Sequence, residues 1–179
     1  MKKFLVFMNN FHYNVKQQKE GIIMSVENVR AYLKKFNKDQ DIIELDASTA
    51  TVELAAEALG TQPARIAKTL SFKVQDSCLL VVCAGDMKID NSLFKQEFGV
   101  KASMLKGEEV EALSGHAIGG VCPFAVAEGV LVCCDTSLLA YDFVYPACGS
   151  SHSCIKLTPE ELFTYAAADR WVTVCKPRY

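Results

Sequence analysis

The chain has no strong excess of charge of either sign. Nineteen lysine and arginine residues accompany 21 aspartate and glutamate residues, and the formal net charge at pH 7 is −2. Proteins that hold long nucleic acids depend on clustered cations, because their binding is driven largely by the release of counterions from phosphates. This balance excludes bulk electrostatic binding of long RNA or DNA, but it permits a local contact with the end of a nucleic acid.

Long hydrophobic runs are also absent. None approaches the ~20 residues that a membrane-spanning helix needs, so we expect no membrane association. The opening stretch MKKFLVFMNN carries the lysine pair of a secretory signal, but its apolar run is short and no small-residue cleavage site follows. We therefore expect a cytoplasmic protein.

The eight cysteines form no C-x-x-C pair and lie in apolar runs such as LLVVCAG and VLVCCD. This placement predicts small buried side chains in a reducing compartment rather than a disulfide scaffold. Zinc ligands need spacings such as C-x-x-C or H-x-x-x-H, and only HSC at residues 152–154 comes near them. We expect neither a metal nor another cofactor.

The first clear helical period begins near Met24. Ser25 can cap a helix, and apolar residues then recur at three- and four-residue spacing at Val26, Val29, Leu33 and Phe36. Residues 1–23 show no comparable period. We predict an N-terminal extension over residues 1–23, disordered or docked on the surface, and a single domain over residues 24–179.

Helices and strands interleave along the rest of the chain. The predicted helices are TVELAAEALG, TQPARIAK, DNSLFKQEFG, GEEVEALSG and TPEELFTYAA. The predicted strands are DIIEL, TLSFKV, CLLVVCAG, KASML, GVLVCCD, DFVYPACG and CIKL. Because short strands linked by turns dominate the middle and the end, we predict a mixed α/β fold of the α+β type, with helices packed around a mixed sheet.

The stretch GHAIGGVCPFAV, residues 115–126, places two adjacent glycines and a proline in a segment without charge after His116. Gly119 and Gly120 would let a ligand approach backbone N–H groups, and Pro123 would fix the exit of the loop. Such a loop can hold a carbonyl group or a developing oxyanion. The alternative is a bulge that turns a strand at a barrel corner.

Lys68, in RIAKTLSF, stands at a predicted junction between a helix and a strand. Its ammonium could meet a phosphate or a ribose at the rim of a cleft, and Thr69 could add a hydroxyl. The alternative is a solvated lysine at a helix end, which the helix dipole favours. Asp135 ends the apolar run VLVCCD, and its carboxylate could either hold an ammonium or cap the next turn.

A cysteine nucleophile with a histidine base is a further option, because Cys122 is near His116 and Cys154 is near His152 in the sequence. Sequence proximity does not supply the geometry that such a pair needs, so we favour packed strand residues for both cysteines. The segment ACGSSHSC, residues 147–154, either lines a small polar pocket or is a plain loop.

Taken in order, the segments ARIAKTLSF, CAGDMKID, HAIGGVCPFAV, CDTSLL, ACG and IKLTPEEL resemble the YbaK/EbsC family. Its members are free-standing relatives of the editing insertion domain of bacterial prolyl-tRNA synthetases. The resemblance runs from about residue 42 to about residue 168. It implies a curved, partly barrel-like mixed sheet surrounded by helices, and an activity that hydrolyses the ester between tRNA and a wrongly attached amino acid by attack of water.

The resemblance implies catalytic roles for Lys68, which matches the family's K-T-L lysine, and for Gly119, in the loop that ends at Pro123. From this match and the apolar setting of Lys68, we expect its ammonium to face the Gly119 loop. With the residue patterns above, it gives the expected contacts of the aminoacyl end: Thr49, Thr51, Thr69, Gly120, Val121, Cys122, Pro123, Asp135, Gly149, Ser150 and His152. We expect Val121, Cys122 and Phe124, with the residues near Thr49 and Thr51, to wall a pocket for a small amino acid.

The resemblance leaves the edited amino acid open between cysteine and alanine on tRNA(Pro). Ala147 and Cys154 stand where the family's cysteinyl-tRNA deacylases carry polar groups, for which Ser150 or His152 could substitute. The expected partners are the 3′ end of aminoacyl-tRNA and an aminoacyl-tRNA synthetase, with the chain a monomer or a weak homodimer. The alternative is a non-catalytic module of the same fold that binds tRNA or a protein, but the presence of both Lys68 and the 119–123 loop favours the enzyme.

Overall fold

The computed structural model describes residues 25–178, so the predicted extension over residues 1–23 lies outside it. Five α-helices occur in the described range: α1 (Val26–Leu33), α2 (Val52–Leu59), α3 (Asn91–Phe98), α4 (Glu108–Ser114) and α5 (Pro159–Tyr165). Nine strands occur in the same range: β1 (Ile42–Glu44), β2 (Ile66–Val74), β3 (Ser77–Ala84), β4 (Met87–Ile89), β5 (Leu131–Asp135), β6 (Tyr145–Pro146), β7 (Ser153–Ile155), β8 (Arg170–Val172) and β9 (Cys175–Pro177).

Five strands form a central mixed sheet in the order β6-β2-β3-β5-β8. Strands β2 and β3 are an antiparallel hairpin, whereas β6, β5 and β8 each join the sheet in parallel. The sheet curls into a half-barrel. The pairs β1-β7 and β4-β9 are separate two-stranded ribbons. The predicted α+β fold with a curved, partly barrel-like mixed sheet is therefore confirmed.

The hairpin is closed by a two-residue loop, because Val74 pairs with Ser77 and only Gln75 and Asp76 lie between them. Gln75 has a φ of 55°, which suits the twist that such tight loops require. The loop fixes a register in which Lys68 lies opposite Cys83.

Alternation along β3 separates two apolar clusters. Leu80 and Val82 belong to the cluster that contains Phe124, and we call this side of the sheet the loop face. Leu79 and Val81 belong to the cluster that contains Phe94 of α3, and we call this side the lysine face. Because both faces are covered, β3 is buried at every position after its first residue, as expected of a continuous apolar run.

Three helices begin at predicted capping residues whose side chains form the cap, whereas the Ser25 side chain makes no capping hydrogen bond at the start of α1. Thr51 caps α2, which ends at Gly60 in the left-handed conformation, and the Asp90 side chain accepts hydrogen bonds at the start of α3. Thr158 and Glu161 form the predicted capping box of α5. Local hydrogen bonding therefore determines these boundaries.

Three predicted elements are wrong or too long. TQPARIAK is a 3₁₀ turn at Pro63–Arg65 followed by the start of β2, because Ile66 and Ala67 already pair with β6. KASML makes only one bridge, between Met104 and Phe72, and DFVYPACG contributes only Tyr145–Pro146 to the sheet. Lys68 is therefore a residue of β2 and does not lie at a helix end.

Candidate functional site

Lys68 lies on the lysine face of β2, since its partner Cys83 belongs to the cluster on that side. Its ammonium donates hydrogen bonds to the carbonyl oxygens of Gly85, at 2.9 Å, and of Met87. An ammonium carries three N–H groups. One N–H therefore has no acceptor within residues 25–178 and can serve a ligand.

Lys68 borders a cavity of about 680 Å³, a volume within the usual range for small-molecule sites. Thr51 at the start of α2 and Met87 of β4 contribute to its wall. The charged lining residues comprise three cations and one carboxylate: Lys68, Lys88, Arg178 and Glu53. This balance gives the cavity a positive character that suits an anionic group.

The expectation that the Lys68 ammonium faces the Gly119 loop is wrong. Residues 119–123 are all described by the structure, and none of them lines the Lys68 cavity. Cys122 and Phe124 pack on the loop face, whereas Lys68 points to the lysine face. Successive strand residues point to opposite faces, so a residue of β2 can join only one of them.

The glycine pair forms a turn rather than a strand bulge. The amide of Gly120 donates to the carbonyl of Ala117 at 3.0 Å, and Gly119 has a φ of 86°. This is the pattern of a type II turn, whose third residue requires a positive φ. Gly119 is exposed, and the amides of Gly119, Val121 and Cys122 have no acceptor among the described atoms. The amide of Gly120 is already used, so it is not an available donor.

Gly120 packs directly against the turn at residues 148–152. A Cβ at Gly120 would lie 2.7 Å from the carbonyl oxygen of Gly149, so only glycine permits this approach. On the other side of the same turn, the amide of Thr49 donates to the carbonyl of Ser151. The 119–123 loop is thereby connected, through this turn and residues 49–51, to the wall of the Lys68 cavity.

The serine and histidine of the 148–152 turn are engaged locally. The Ser150 hydroxyl lies 2.9 Å from that of Ser153 and accepts from the amide of His152, whose exposed ring lies 3.0 Å from the Ser151 hydroxyl. Cys154 lies in β7 and is buried, and burial raises the pKa of its thiol to about 11. The structure therefore places Ser150 next to Gly120 of the loop, with His152 hydrogen-bonded to it from the same turn.

Cys122 and His116 meet, but not as a nucleophile and its base. Both are fully buried, and His116 Nε2 lies 3.0 Å from the Phe124 carbonyl and 3.7 Å from the Cys122 sulfur. Because a carbonyl can only accept, Nε2 carries the hydrogen and cannot take a proton from the thiol. Burial raises the pKa of Cys122 to about 12 and lowers the pKa of His116. The pocket wall expected at Cys122 and Phe124 is likewise absent, since both side chains are inaccessible.

Of the two roles considered for Asp135, the structure shows the cap of the following turn. The side chain is only 1% exposed, and its two carboxylate oxygens accept from the amides of Ser137 and Val174. It therefore caps the turn after β5 and ties that turn to the segment between β8 and β9. Thr69, as predicted beside Lys68, lines the cavity, and its hydroxyl oxygen is buried without a partner in the described chain.

Sequence reasoning missed Lys88, Glu53 and Arg178. Lys88 lies in β4, whose pairing with β9 brings the end of the chain to the cavity. No local pattern around Arg178 predicts its contact with Lys88, because the two residues are 90 positions apart in the sequence and meet only through the pairing of β4 with β9. Lys88 and Arg178 could have been found only from the register of β4 and β9.

Residues 25–178 hold neither a cluster of metal ligands nor a helix that could span a membrane. No group of three or more histidine, cysteine, aspartate or glutamate side chains in residues 25–178 could hold a metal ion. Among the helices of that range, none is both long enough and apolar enough to cross a membrane.

Comparison with known proteins identifies a family. Residues 46–165 match the model of the aminoacyl-tRNA editing domain. The chain is 47% identical over 154 residues to the uncharacterized protein YwhH of Bacillus subtilis (strain 168), covering 86% of this chain and 98% of that protein. It is 29% identical over 101 residues to a proline–tRNA ligase of Bacillus cytotoxicus, covering 56% of this chain but only 18% of the ligase.

A solved structure shares the fold. It is described as a candidate trans-editing enzyme for prolyl tRNA synthetase, and it superposes with a TM-score of 0.76 at 28% sequence identity. The alignment covers 84% of this chain and 96% of that one. The family suggested by the sequence motifs is therefore confirmed.

Proposed function

The chain belongs to the aminoacyl-tRNA editing domain family, and on this basis we propose that it hydrolyses the ester between tRNA and a small, wrongly attached amino acid. The reaction adds water across the ester. The bond between the acyl carbon and the ribose oxygen breaks, releasing the free amino acid and a tRNA with a restored terminal hydroxyl. Neither a metal nor a side-chain nucleophile is needed for this chemistry.

The observation that carries the proposal is the free N–H of Lys68 in a positively charged cavity. The other two donors of the ammonium hold the carbonyls of Gly85 and Met87, so the charge is fixed in place before a substrate arrives. A preorganised charge stabilises an anionic group without the cost of ordering it first. We assign this charge to the phosphate or ribose of the tRNA 3′ end.

We assign the acyl carbonyl to the 119–123 loop. The amides of Gly119, Val121 and Cys122 are free of acceptors in the described structure, and the loop is joined to the cavity wall through the 148–152 turn and Thr49. In this arrangement the tRNA end lies in the cavity and the aminoacyl group extends across the turn to the loop. Ser150 and His152 lie along that path and are proposed to contact the aminoacyl group.

The proposed substrate class is tRNA(Pro) charged with cysteine or alanine. Synthetase pockets separate apolar side chains that differ by one methylene by only ~1–3 kcal/mol, so a second site must remove the errors. The similarity to part of two proline–tRNA ligases supports prolyl-tRNA synthesis as the source of the errors. Val121 and Thr49, which are partly accessible, are proposed to limit the size of the side chain.

A non-catalytic tRNA-binding or protein-binding module is the second candidate. It is favoured by the two carbonyl contacts of Lys68, which are those of a structural lysine. Such a module would bind aminoacyl-tRNA without releasing the amino acid, so turnover separates the two candidates.

The proposed function is tested with a panel of purified tRNAs, each charged with a labelled amino acid. Release of amino acid above the rate in buffer should be fastest for cysteine or alanine on tRNA(Pro) and slow for proline on the same tRNA. Equal rates with and without the protein for every substrate would contradict the proposal.

A further inference from the structure

The Lys68 cavity has a second cationic edge, formed by Lys88 of β4 and Arg178 after β9. Both residues line the cavity together with Lys68. We propose that Lys88 and Arg178 bind the terminal phosphodiester of an RNA 3′ end, and that the C-terminal strand β9 is therefore part of the substrate-binding site. The inference rests on the proposed function for the identity of the RNA.

The C-terminal strand lies beyond the part of the chain that matches the family model. That match ends at residue 165, whereas β8 and β9 cover Arg170–Val172 and Cys175–Pro177. Strand β9 pairs antiparallel with β4, and Met87 of β4 supplies a carbonyl that holds the Lys68 ammonium. Strand β9 thus contacts the element that positions the proposed catalytic lysine.

Arg178 has a fixed backbone and an available side chain. Its amide donates to the carbonyl of Asp86 at 2.9 Å, and its carbonyl accepts from Lys88 Nζ at 3.3 Å. The guanidinium lies 3.4 Å from a carboxylate oxygen of Glu53, with side-chain exposures of 45% and 65%. Such an exposed ion pair contributes little, so the guanidinium can exchange this carboxylate for a phosphate at small cost.

A phosphate is the ligand that this edge suits best. The cavity lining holds three cations against the single carboxylate of Glu53, and a planar guanidinium binds phosphate through two parallel hydrogen bonds. Without a bound phosphate, the Arg178 guanidinium pairs with Glu53 at the cavity edge. Lys88 adds a point charge beside it, since its Nζ donates to the Arg178 carbonyl.

Strand β9 offers a matched control. Lys176 lies two residues before Arg178, is also exposed, and pairs with Asp90 at 2.7 Å, but it does not line the cavity. Lys176→Gln removes the same amount of charge from the same strand as Arg178→Gln or Lys88→Gln. A general loss of positive charge would affect all three variants equally.

The test measures binding of a fluorescent RNA hairpin that ends in CCA, at several salt concentrations. Arg178→Gln and Lys88→Gln should each weaken binding about tenfold at low salt and lower the salt slope by roughly 0.7, whereas Lys176→Gln should match the wild type. The same hairpin without its CCA end should bind equally weakly to every variant. Inorganic phosphate at millimolar concentration should compete poorly if the ligand is an RNA phosphodiester.

Two results would overturn the inference. One is unchanged binding of the CCA hairpin by both cavity variants, and the other is a wild-type protein that does not bind the hairpin. Deacylation by the wild type is measured separately on the charged tRNA panel. If the wild type deacylates tRNA and both cavity variants bind the hairpin normally, the proposed function stands and only the phosphate site at Lys88 and Arg178 is contradicted. If both variants weaken RNA binding but the wild type does not deacylate, the phosphate site stands and the proposed function is contradicted.

Discussion

At the scale of single residues, the site depends on groups whose hydrogen bonds are incomplete. Lys68 keeps one free N–H after two carbonyl contacts, and the exposed turn at Gly119 presents amides without acceptors in the described chain. The Cys122 thiol and the Asp135 carboxylate, by contrast, are buried and engaged in hydrogen bonds. Availability therefore separates the proposed functional residues from the structural ones.

Gly119→Ala should lower the single-turnover rate of deacylation by ~10² or more with little change in tRNA binding. The reason is that a Cβ at Gly119 disturbs the turn that orients the backbone amides proposed to bind the ester carbonyl. The added Cβ would meet no described heavy atom within 4 Å, and only the φ of 86° opposes it. That strain costs roughly 1–2 kcal/mol of stability.

Gly99→Ala is the matched control for this strain. Gly99 has a φ of 76° and equally open surroundings, but it ends α3 and lies outside the 119–123 loop. Both variants should lose similar stability, and only Gly119→Ala should lose activity beyond its folded fraction. Equal deacylation rates per folded molecule for Gly119→Ala and Gly99→Ala would show that the 119–123 loop has no role in catalysis.

Cys122→Ala should retain a deacylation rate within about tenfold of the wild type, since burial raises the thiol pKa to about 12 and leaves almost no thiolate at neutral pH. The variant removes a fully buried sulfur, so some loss of melting temperature is expected. A loss of more than ~10³ in single-turnover rate with binding intact would show covalent catalysis instead.

At the scale of elements, the 117–123 segment is held at its base by His116. The ring donates to the carbonyl of Phe124, and the amide of His116 donates to the Ser114 hydroxyl at the end of α4. Nδ1 has no partner among the described residues, so a second ring proton would have no acceptor. The neutral form of His116 therefore stabilises the conformation of the 117–123 segment.

This contact predicts a pH dependence of stability. Burial lowers the pKa of His116 from 6.5, so below pH 6.5 the unfolded chain binds a proton that the folded chain resists. The stability that neutral His116 contributes should be complete above pH 6.5, the pKa in the unfolded chain, and should be lost as the pH falls through the lower pKa in the folded chain. Thermal melts between pH 8 and pH 5 measure it, and His116→Gln should flatten the curve. An unchanged slope in that variant would assign the dependence to other groups.

At the scale of the whole molecule, the sequence predicted what local hydrogen bonds and side-chain periodicity determine. The capping residues located α2, α3 and α5, and the apolar strand runs indicated a mixed sheet. The face on which Lys68 lies, and the arrival of Arg178 at the cavity, depend on strand register and on the β4-β9 pairing. Neither property is encoded within a few residues, so the apolar setting of Lys68 and the family resemblance wrongly predicted that Lys68 faces the glycine loop.

The eight cysteines give a test of the whole fold. All are free and buried in the structure, as the sequence predicted. Alkylation without a reductant should therefore modify few thiols in the native protein and all eight in denaturant, as measured by intact mass. Fewer than eight modified thiols in denaturant would reveal a disulfide and contradict both the fold and the inferred reducing compartment.

The central claim is that the Lys68 ammonium acts on the tRNA end, and the most direct test is single-turnover deacylation by Lys68→Ala beside Lys73→Ala. Lys73 lies on the same strand, but its ammonium pairs with Glu109 at the surface. Lys68→Ala should lower the rate per folded molecule by ~10² or more, and the loss of two carbonyl partners should also cost about 1–3 kcal/mol of stability. Lys73→Ala should match the wild type in rate. A folded Lys68→Ala protein with the wild-type rate would contradict the account.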